Sequence, residues 1–194
     1  GYWEWSGGSI VGAGSTTVAS GSVLRITGSC GPFLEDRALV IQGRLEFVDS
    51  GRICMAGSAS VSNSGTIDIE GNGDPLYDWS GTPSVVNTGL LKKSGGTSTA
   101  RVSATFTNKG TVQIQAGLLS LSGGNAAGPD TGAYTIAPGT FFAIDGPRDF
   151  GVGVSITNNG TGLIRGGDVT GVATLPGYWE WSGGSIVGAG STTV

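Results

Sequence analysis

Apolar and polar residues alternate in short segments that begin just after a glycine. Two and four residues after Gly43, Gly65, Gly110 and Gly117 stand the pairs Leu45/Phe47, Ile67/Ile69, Val112/Ile114 and Leu119/Leu121. After Gly21 and Gly139 the pairs Leu24/Ile26 and Phe142/Ile144 come one residue later, which a bulge would accommodate. A period of two predicts strands with one buried face. No segment repeats with the helical period, so the pattern predicts an all-β protein.

The spacing of these glycines predicts how the strands are arranged. They recur at intervals of roughly 22 residues, with one longer step from Gly110 to Gly139. The series is Gly21, Gly43, Gly65, Gly89, Gly110, Gly139 and Gly160. A structural unit that recurs at this interval is typical of a solenoid, in which each coil stacks on the last. We therefore predict a right-handed parallel β-helix (β-solenoid).

Four of the glycines belong to Asn-x-Gly motifs, which we interpret as corners of the coil. Asparagine and glycine enter left-handed backbone conformations at low cost, and we expect such a bend at each corner. The asparagines would also stack into an amide ladder along the axis. The corner residues are Asn63 with Gly65, Asn87 with Gly89, Asn108 with Gly110, and Asn158 with Gly160.

A much longer repeat surrounds these coils. The segment GYWEWSGGSIVGAGSTTV at 1–18 recurs unchanged at 177–194, and we call it the repeated segment. Residues 1–176 therefore form one period, and 177–194 begin the next identical one. We expect roughly seven or eight coils per period, which at about 4.8 Å per coil is an advance of about 34 to 38 Å. Neither end carries a polar, charged or helical cap, so we expect the next period to continue the same solenoid.

Composition removes several functional classes. Glycine supplies 38 of 194 residues without a three-residue period, which excludes collagen. The chain has no histidine, which excludes Ser-His-Asp and Cys-His catalysis and histidine metal ligands. The net charge of −4 and the scattered basic residues argue against nucleic-acid binding. No apolar run has the length of a membrane span, and we expect no cofactor and no metal.

The two cysteines, Cys30 and Cys54, are separated by about one coil. Equivalent positions in successive coils would bring their Cα atoms within disulfide range, about 5 Å. We predict a disulfide between them, which would indicate an oxidising compartment. The alternative is a pair of buried free thiols.

An outward ladder carries the only enzyme-like residues. Glu46, Asp68, Lys92 and Gln113 stand three positions after successive glycines, and Glu70 follows on the same strand as Asp68. Two carboxylates about 5 Å apart resemble the pair of a retaining glycosidase. The competing interpretation is a solvated strand face on which Lys92 offsets Asp68. We favour that interpretation because no arginine cluster, aromatic platform or companion base is evident.

Two further segments have alternative interpretations. Gly71-Asn72-Gly73-Asp74 is similar to a calcium-binding turn, but a single copy is more typical of a loop that leaves the coil. Trp3 and Trp5 share one face of their strand. We expect them in the core, although an exposed pair would stack on sugars or on a neighbouring filament.

The segments WSGGSIVGAG, NSGTIDI, NTGLLKKSGGTSTA, NKGTVQI and GLLSLSGG resemble the glycine-rich modules of very large bacterial secreted and surface proteins. These are parallel β-helices of the filamentous-haemagglutinin type. The resemblance covers nearly the whole chain and implies a stalk or adhesive shaft, and it carries over no catalytic residue.

The expected function is therefore structural rather than enzymatic. We expect a repeat unit of an extracellular fibre, stalk or surface adhesin, with adjacent periods as head-to-tail partners and surface polysaccharide as a further partner. The alternative is a carbohydrate-binding or polysaccharide-degrading β-helix module that uses Glu46, Asp68 and Glu70.

Overall fold

The structure, a computed structural model, describes residues 1–29 and 31–193. Every helix or strand in these residues is a β-strand, and the strands stack as a solenoid of about nine turns. The predicted all-β parallel solenoid is confirmed.

The first five coils contain three strands each. They are β1 (Tyr2–Trp5), β2 (Gly8–Val11), β3 (Ser15–Val18), β4 (Val23–Ile26), β5 (Pro32–Glu35), β6 (Ala38–Ile41), β7 (Arg44–Phe47), β8 (Ile53–Gly57), β9 (Ser60–Asn63), β10 (Thr66–Ile69), β11 (Gly73–Gly81), β12 (Ser84–Asn87), β13 (Leu90–Lys93), β14 (Thr99–Val102) and β15 (Thr105–Asn108).

The remaining coils are less regular. Their strands are β16 (Thr111–Ile114), β17 (Leu118–Leu121), β18 (Ala133–Ile136), β19 (Phe141–Ile144), β20 (Arg148–Phe150), β21 (Ser155–Asn158), β22 (Thr161–Ile164), β23 (Asp168–Gly171), β24 (Ala173–Thr174), β25 (Tyr178–Trp181), β26 (Ser185–Ile186) and β27 (Thr192–Thr193). Of these strands, β16 begins coil 6, β18 begins coil 7, β21 begins coil 8 and β24 begins coil 9, while β27 begins a further coil.

Each coil crosses three faces in turn, and its strands pair in parallel with those of the next coil. Sheet A, on the first face, runs β1-β4-β7-β10-β13-β16-β18-β21, and sheet B runs β2-β5-β8-β11-β14-β17-β19-β22-β25. Sheet C contains β3, β6, β9, β12 and β15, and sheet D contains β20, β23 and β26. The short sheet E, β24 with β27, lies next to β21.

The predicted inward residues form the core. In sheet A, Leu45, Ile67 and Val112 stack in one interior column with Leu91 and Tyr134, all of them buried. The apolar interior therefore runs continuously along the axis, so each added coil buries its apolar face on the coil before it.

The corner glycines have a different role from the one predicted. Gly65, Gly89, Gly110 and Gly160 do not have positive φ, and neither do the asparagines of their motifs, so the predicted left-handed bend is wrong. A Cβ on Gly110 would overlap the Gly89 carbonyl oxygen, and one on Gly89 would overlap that of Gly65. These positions are glycine because the backbones of successive coils approach too closely for any side chain.

The predicted asparagine ladder is present in three coils. Asn63 Nδ2 donates to Asn87 Oδ1 at 2.7 Å, and Asn87 Nδ2 donates to Asn108 Oδ1 at 2.9 Å. Each amide also donates to a backbone carbonyl of the next coil, such as Asn63 to Leu90 at 3.0 Å. All three asparagines are buried, so these bonds satisfy Nδ2 donors whose burial would otherwise be costly.

The fourth motif lies at a different corner. Asn63, Asn87 and Asn108 end strands of sheet C, whereas Asn158 ends β21 in sheet A, and Gly160 precedes β22 in sheet B. The motif has therefore moved by one face of the coil.

A buried polar cluster lies where sheet C gives way to sheet D. In the described part of coil 6 this face has no strand, only an isolated bridge between Asp130 and Phe150. Arg148 Nη1 donates to the Phe106 carbonyl at 2.5 Å and lies 3.4 Å from Asp130 Oδ2, while Nη2 donates to the Gly123 carbonyl at 2.8 Å. The Arg148 side chain thus replaces the missing ladder bonds across the junction.

Asp130 completes this cluster. It accepts hydrogen bonds from the backbone N–H of Asn108 and from the Tyr134 hydroxyl, both at 2.7 Å. Burial raises the pKa of Asp130, while Arg148 and these two donors oppose the rise. Burial and the neighbouring carboxylate raise the pKa of Tyr134.

Candidate functional site: charged ladder, aromatic cluster and the two copies

The structure places the predicted outward ladder in register on sheet A. Glu46 is opposite Asp68, Asp68 is opposite Lys92, and Lys92 is opposite Gln113. Parallel pairing places these residues one strand spacing apart, about 4.8 Å along the axis. Glu70 follows β10 at the same edge.

Two arginines that were not predicted from the sequence, Arg25 and Arg44, neutralise these carboxylates. Arg44 contacts all three: Nη2 lies 2.7 Å from Asp68 and 3.2 Å from Glu70, and Nε lies 3.1 Å from Glu46. Arg25 Nε lies 3.5 Å from Glu46. The expectation that no arginine cluster accompanies the pair is wrong, because Arg25 and Arg44 both lie against it. The two-residue alternation would have predicted this contact, since Arg44 is two residues before Glu46 and therefore lies on the same outer face of the strand.

Asp68 is the most enclosed member of the ladder. Its side chain is 1% exposed, with Lys92 Nζ at 2.7 Å and the Ser94 hydroxyl donating to its other oxygen. A glycosidase carboxylate must reach the anomeric carbon or the leaving oxygen of a sugar. Asp68 is covered by its ion-pair partners, so it is placed to hold coils together rather than to reach a sugar. We call the set of ion pairs that joins coils 2 to 5 the charged ladder; it consists of Arg25, Arg44, Glu46, Asp68, Glu70 and Lys92.

Lys93 is an unexpected interior residue. It lies in a second interior column of sheet A, between Ile69 and Ile114, and it is buried. Its Nζ donates to the Gly71 carbonyl at 2.7 Å and to the Gly95 carbonyl at the next corner. Burial lowers the pKa of Lys93 to about 8. Because Lys92 points outward, alternation alone predicts that its neighbour points inward.

The segment that resembles a calcium turn continues into a strand. Gly73 begins the nine-residue β11, so the predicted loop excursion is wrong beyond Asn72. Asp74 Oδ2 lies 3.4 Å from Arg52 Nη2, and Asp74 Oδ1 lies 4.0 Å from Arg101 Nε. In the described part of the chain, no group of three or more His, Cys, Asp or Glu residues could hold a metal ion.

An aromatic cluster, Phe33, Tyr77 and Trp79, lies on the outer side of sheet B. The Trp79 ring is 6.4 Å from Phe33 and 6.3 Å from Tyr77 between centroids, in edge-to-face contacts. The register of β11 shifts between Asp78 and Ser80, so Trp79 is the bulged residue and is 61% exposed. Arg52 stacks 4.7 Å from the centre of the Tyr77 ring. Because the bulge interrupts the two-residue period, this platform is not predicted from the sequence.

The predicted disulfide stays a prediction. Cys54 lies buried in β8, opposite Phe33 of the coil before and Tyr77 of the coil after. Cys30 lies outside the described residues.

The two copies of the repeated segment occupy different faces. In the first copy, β1 pairs with β4 in sheet A, whereas in the second copy the same residues form β25 and pair with β22 in sheet B. The next strands differ in the same way: β2 lies in sheet B and β26 in sheet D, while β3 lies in sheet C and β27 in sheet E. The whole copy is displaced by one face.

The first copy surrounds an apolar cavity. A cavity of about 590 Å³ is lined by residues that include Trp3, Trp5, Ile10, Val18 and Leu24. Trp3 lies over Leu24 on an interior column, yet it is 73% exposed because β1 is the edge strand of sheet A. Trp5 is buried, so the expectation of a tryptophan pair in the core is met for Trp5 only.

The second copy shows how this strand sits on a preceding coil. Trp179, the counterpart of Trp3, lies over Gly162 and makes an edge contact with Phe142 at 6.5 Å between centroids. A Cβ on Gly162 would overlap the Trp179 ring. Gly162 therefore provides the space through which this tryptophan reaches the core.

Counterpart residues in the two copies are separated by one period, which is eight coils and one face. The first copy opens sheet A in coil 1, and the second lies on sheet B in coil 9. This number is slightly above the predicted seven or eight coils and corresponds to about 40 Å along the axis. Within residues 1–29 and 31–193, no helix is long and apolar enough to cross a membrane.

Comparison with protein-family models, with curated proteins and with solved structures finds no match to this chain.

Proposed function

We propose that this chain is a structural repeat unit of a long extracellular fibre, stalk or surface adhesin, in which periods stack head to tail as one solenoid. The observation that carries the proposal is the second copy, which repeats the start of the chain and pairs in parallel with coil 8. A sequence that restarts while the solenoid continues has no inherent limit of length.

The interactions between coils support a mechanical role. Backbone hydrogen bonds, the apolar interior, the asparagine ladder and the charged ladder all run along the axis. Strand pairing joins each coil to its neighbours, so adding coils extends the rod at constant width. Pulling along the axis would load many parallel bonds together.

The test uses an extended chain, in which the period 1–176 is repeated before the final segment 177–194. Electron microscopy of chains with one, two and three periods should show rods of constant width that lengthen by about 40 Å per period. Separate beads joined by flexible links would contradict the proposal.

The aromatic cluster favours a second candidate function, saccharide binding. The exposed face of Trp79 offers a surface for the apolar face of a sugar ring, and Arg52 and Asp74 beside it offer hydrogen bonds to hydroxyl groups. A polysaccharide could bind at this cluster without being cleaved, which suits an adhesive shaft.

Affinity electrophoresis through gels that contain acidic or neutral polysaccharides tests this candidate. Trp79→Ala should abolish the retardation of the chain, because the stacking surface is lost. Phe141→Ala is the matched control, since Phe141 is also an exposed aromatic residue of sheet B but lies outside the cluster. Equal retardation of both variants and the unchanged chain would contradict saccharide binding at this cluster.

A further inference from the structure

The displacement of the second copy has an origin in the chain between the two copies. Gly110 stands at the corner before sheet A, whereas Gly139 and Gly160 stand before strands of sheet B. Gly117 already precedes sheet B, so the chain from Gly117 to Gly139 is one coil, and the step from Gly110 to Gly139 is one coil plus one face. The period therefore contains a whole number of coils and one additional face.

Coil 8 and the short β24 form a surface that fits the repeated segment on all three faces. β22 pairs with β25, β23 pairs with β26, and β24 pairs with β27. Asn158 Nδ2 donates to the Tyr178 carbonyl at 2.9 Å, as Asn63 donates to Leu90 in the regular coils. Gly162 leaves space for Trp179. This surface therefore has the same features as the contacts between coils inside the period.

At the other end, the same segment lacks such a surface beneath it. Trp3 is exposed over the apolar cavity, while its counterpart Trp179 contacts Phe142. The two segments are identical in sequence, so the surface that receives one also fits the other. The occupant that completes the first copy is therefore the surface formed by β22, β23 and β24 of a second copy of this period.

We propose that in an array each period docks its repeated segment on β22, β23 and β24 of the preceding period, and is rotated by one face of the coil, about 120°, relative to it. This inference rests on the proposed function, because it concerns periods that stack. It adds the docking surface and the rotation, neither of which stacking alone requires.

The rotation determines how surface features recur along a fibre. The charged ladder and the aromatic cluster would return about every 40 Å, each time on the next face, and would return to the same face only after three periods, about 120 Å. A ligand bound at the aromatic cluster would then follow a three-fold screw around the shaft. A flat surface would contact the same feature only once in three periods.

Engineered disulfides in the extended chain test the docking. Thr161 and Tyr178 are opposite each other and on the outer side, so Thr161→Cys with Tyr178→Cys places two thiols within disulfide range. If the second period were not rotated, Tyr178 would instead lie over Ser155 in sheet A, where β1 begins the first period. Ser155→Cys with Tyr178→Cys is therefore the matched control pair.

Peptide mapping by mass spectrometry under non-reducing conditions identifies the bond. We expect nearly complete cross-linking of the 161/178 pair and none of the 155/178 pair. A second pair on another face, Asp168→Cys with Ser185→Cys, should also cross-link, which protects the test if one double variant does not fold.

Each other outcome overturns the inference. Cross-linking of the 155/178 pair would show stacking without rotation, and the proposed function would stand while the inference falls. Rods without cross-linking of the 161/178 or 168/185 pair would show a different docking surface. Beads in the electron microscope together with an absence of cross-links would remove the proposed function as well.

Discussion

The two copies of the repeated segment are identical in sequence but differ in environment. In the first copy Trp5 is 9% exposed and Trp3 is 73% exposed. In the second copy the order is reversed: Trp179, the counterpart of Trp3, is half-buried, and Trp181, the counterpart of Trp5, is 58% exposed. The same strand thus buries a different tryptophan at each end of the molecule.

Their first strand and the turn that follows it are nevertheless the same. Trp5 Nε1 donates to the Gly8 carbonyl at 3.2 Å, and Trp181 Nε1 donates to the Gly184 carbonyl at 3.2 Å. The segment therefore specifies its own strand and turn, while the length of the preceding coils determines which face it joins. In a solenoid, position on the coil is a property of the whole preceding chain.

The largest effect should come from disrupting the buried cluster of Arg148 and Asp130, which forms the junction between sheets C and D. Arg148→Ala should destabilise the fold by about 4 kcal/mol, because it leaves Asp130 and two carbonyl groups buried without their partner. Chemical denaturation monitored by circular dichroism measures this. Arg165→Ala is the control: this arginine pairs with Asp145 on the surface, and its loss should cost less than about 1 kcal/mol. Equal costs would contradict the role of the junction.

Substitution of the stacked corner glycines Gly65, Gly89 and Gly110 should destabilise the fold nearly as much. Gly110→Ala should cost about 3 kcal/mol, because the new Cβ would overlap the Gly89 carbonyl oxygen and force two coils apart. Gly139→Ala has open space around it but a φ of 74°, and should cost only about 1 kcal/mol from backbone strain. Thermal unfolding of both variants tests the two causes separately. A larger loss at Gly139 would restore the left-handed corner as the main constraint.

Matched tryptophan substitutions test the two copies directly. Trp5→Ala should cost about 3 kcal/mol and Trp181→Ala less than about 1 kcal/mol, although the two residues have identical sequence neighbours. The order should reverse for the other pair, with Trp179→Ala more costly than Trp3→Ala. Denaturant titration of the four variants gives the comparison. The same ranking in both copies would mean that they share one environment.

The smallest expected effect is a pH dependence of stability that arises from Lys93. This residue lies in the same interior column as Trp5 of coil 1. Its pKa in the fold, about 8, is below the unfolded value, so between these values unfolding takes up a proton. Raising the pH from about 8 to about 10 should therefore stabilise the chain by about 2 kcal/mol relative to Lys93→Met. Stability of both chains measured across this range tests the difference. Parallel pH profiles of the two chains would show that folding does not lower the pKa of Lys93.

Much of the fold was predictable from the sequence. Alternation identified the interior residues, and the coil spacing aligned Asn63 with Asn87 and Glu46 with Asp68. Both signals are local, since they depend on strand period and coil length. The reason for the corner glycines was not predictable in this way, because it depends on the distance between the backbones of stacked coils.

The remaining features required long-range information. The displacement of the second copy by one face arises in the long step from Gly110 to Gly139. The sequence shows the length of this step, but only the sheet assignment shows that the two glycines stand at different corners. The bulge that exposes Trp79 interrupts the two-residue period, so alternation cannot locate it. Arg148 bonds to the carbonyl of Phe106, two coils earlier in the chain, which no local pattern indicates.

A three-dimensional reconstruction of the extended chain by electron cryomicroscopy tests the central claim most directly, because it gives the rise and rotation that superimpose one period on the next. The structure predicts a rise of about 40 Å and a rotation of about 120°, with Tyr178–Trp181 stacked on Thr161–Ile164. A rotation near zero, with Tyr178–Trp181 on Ser155–Asn158, would contradict it.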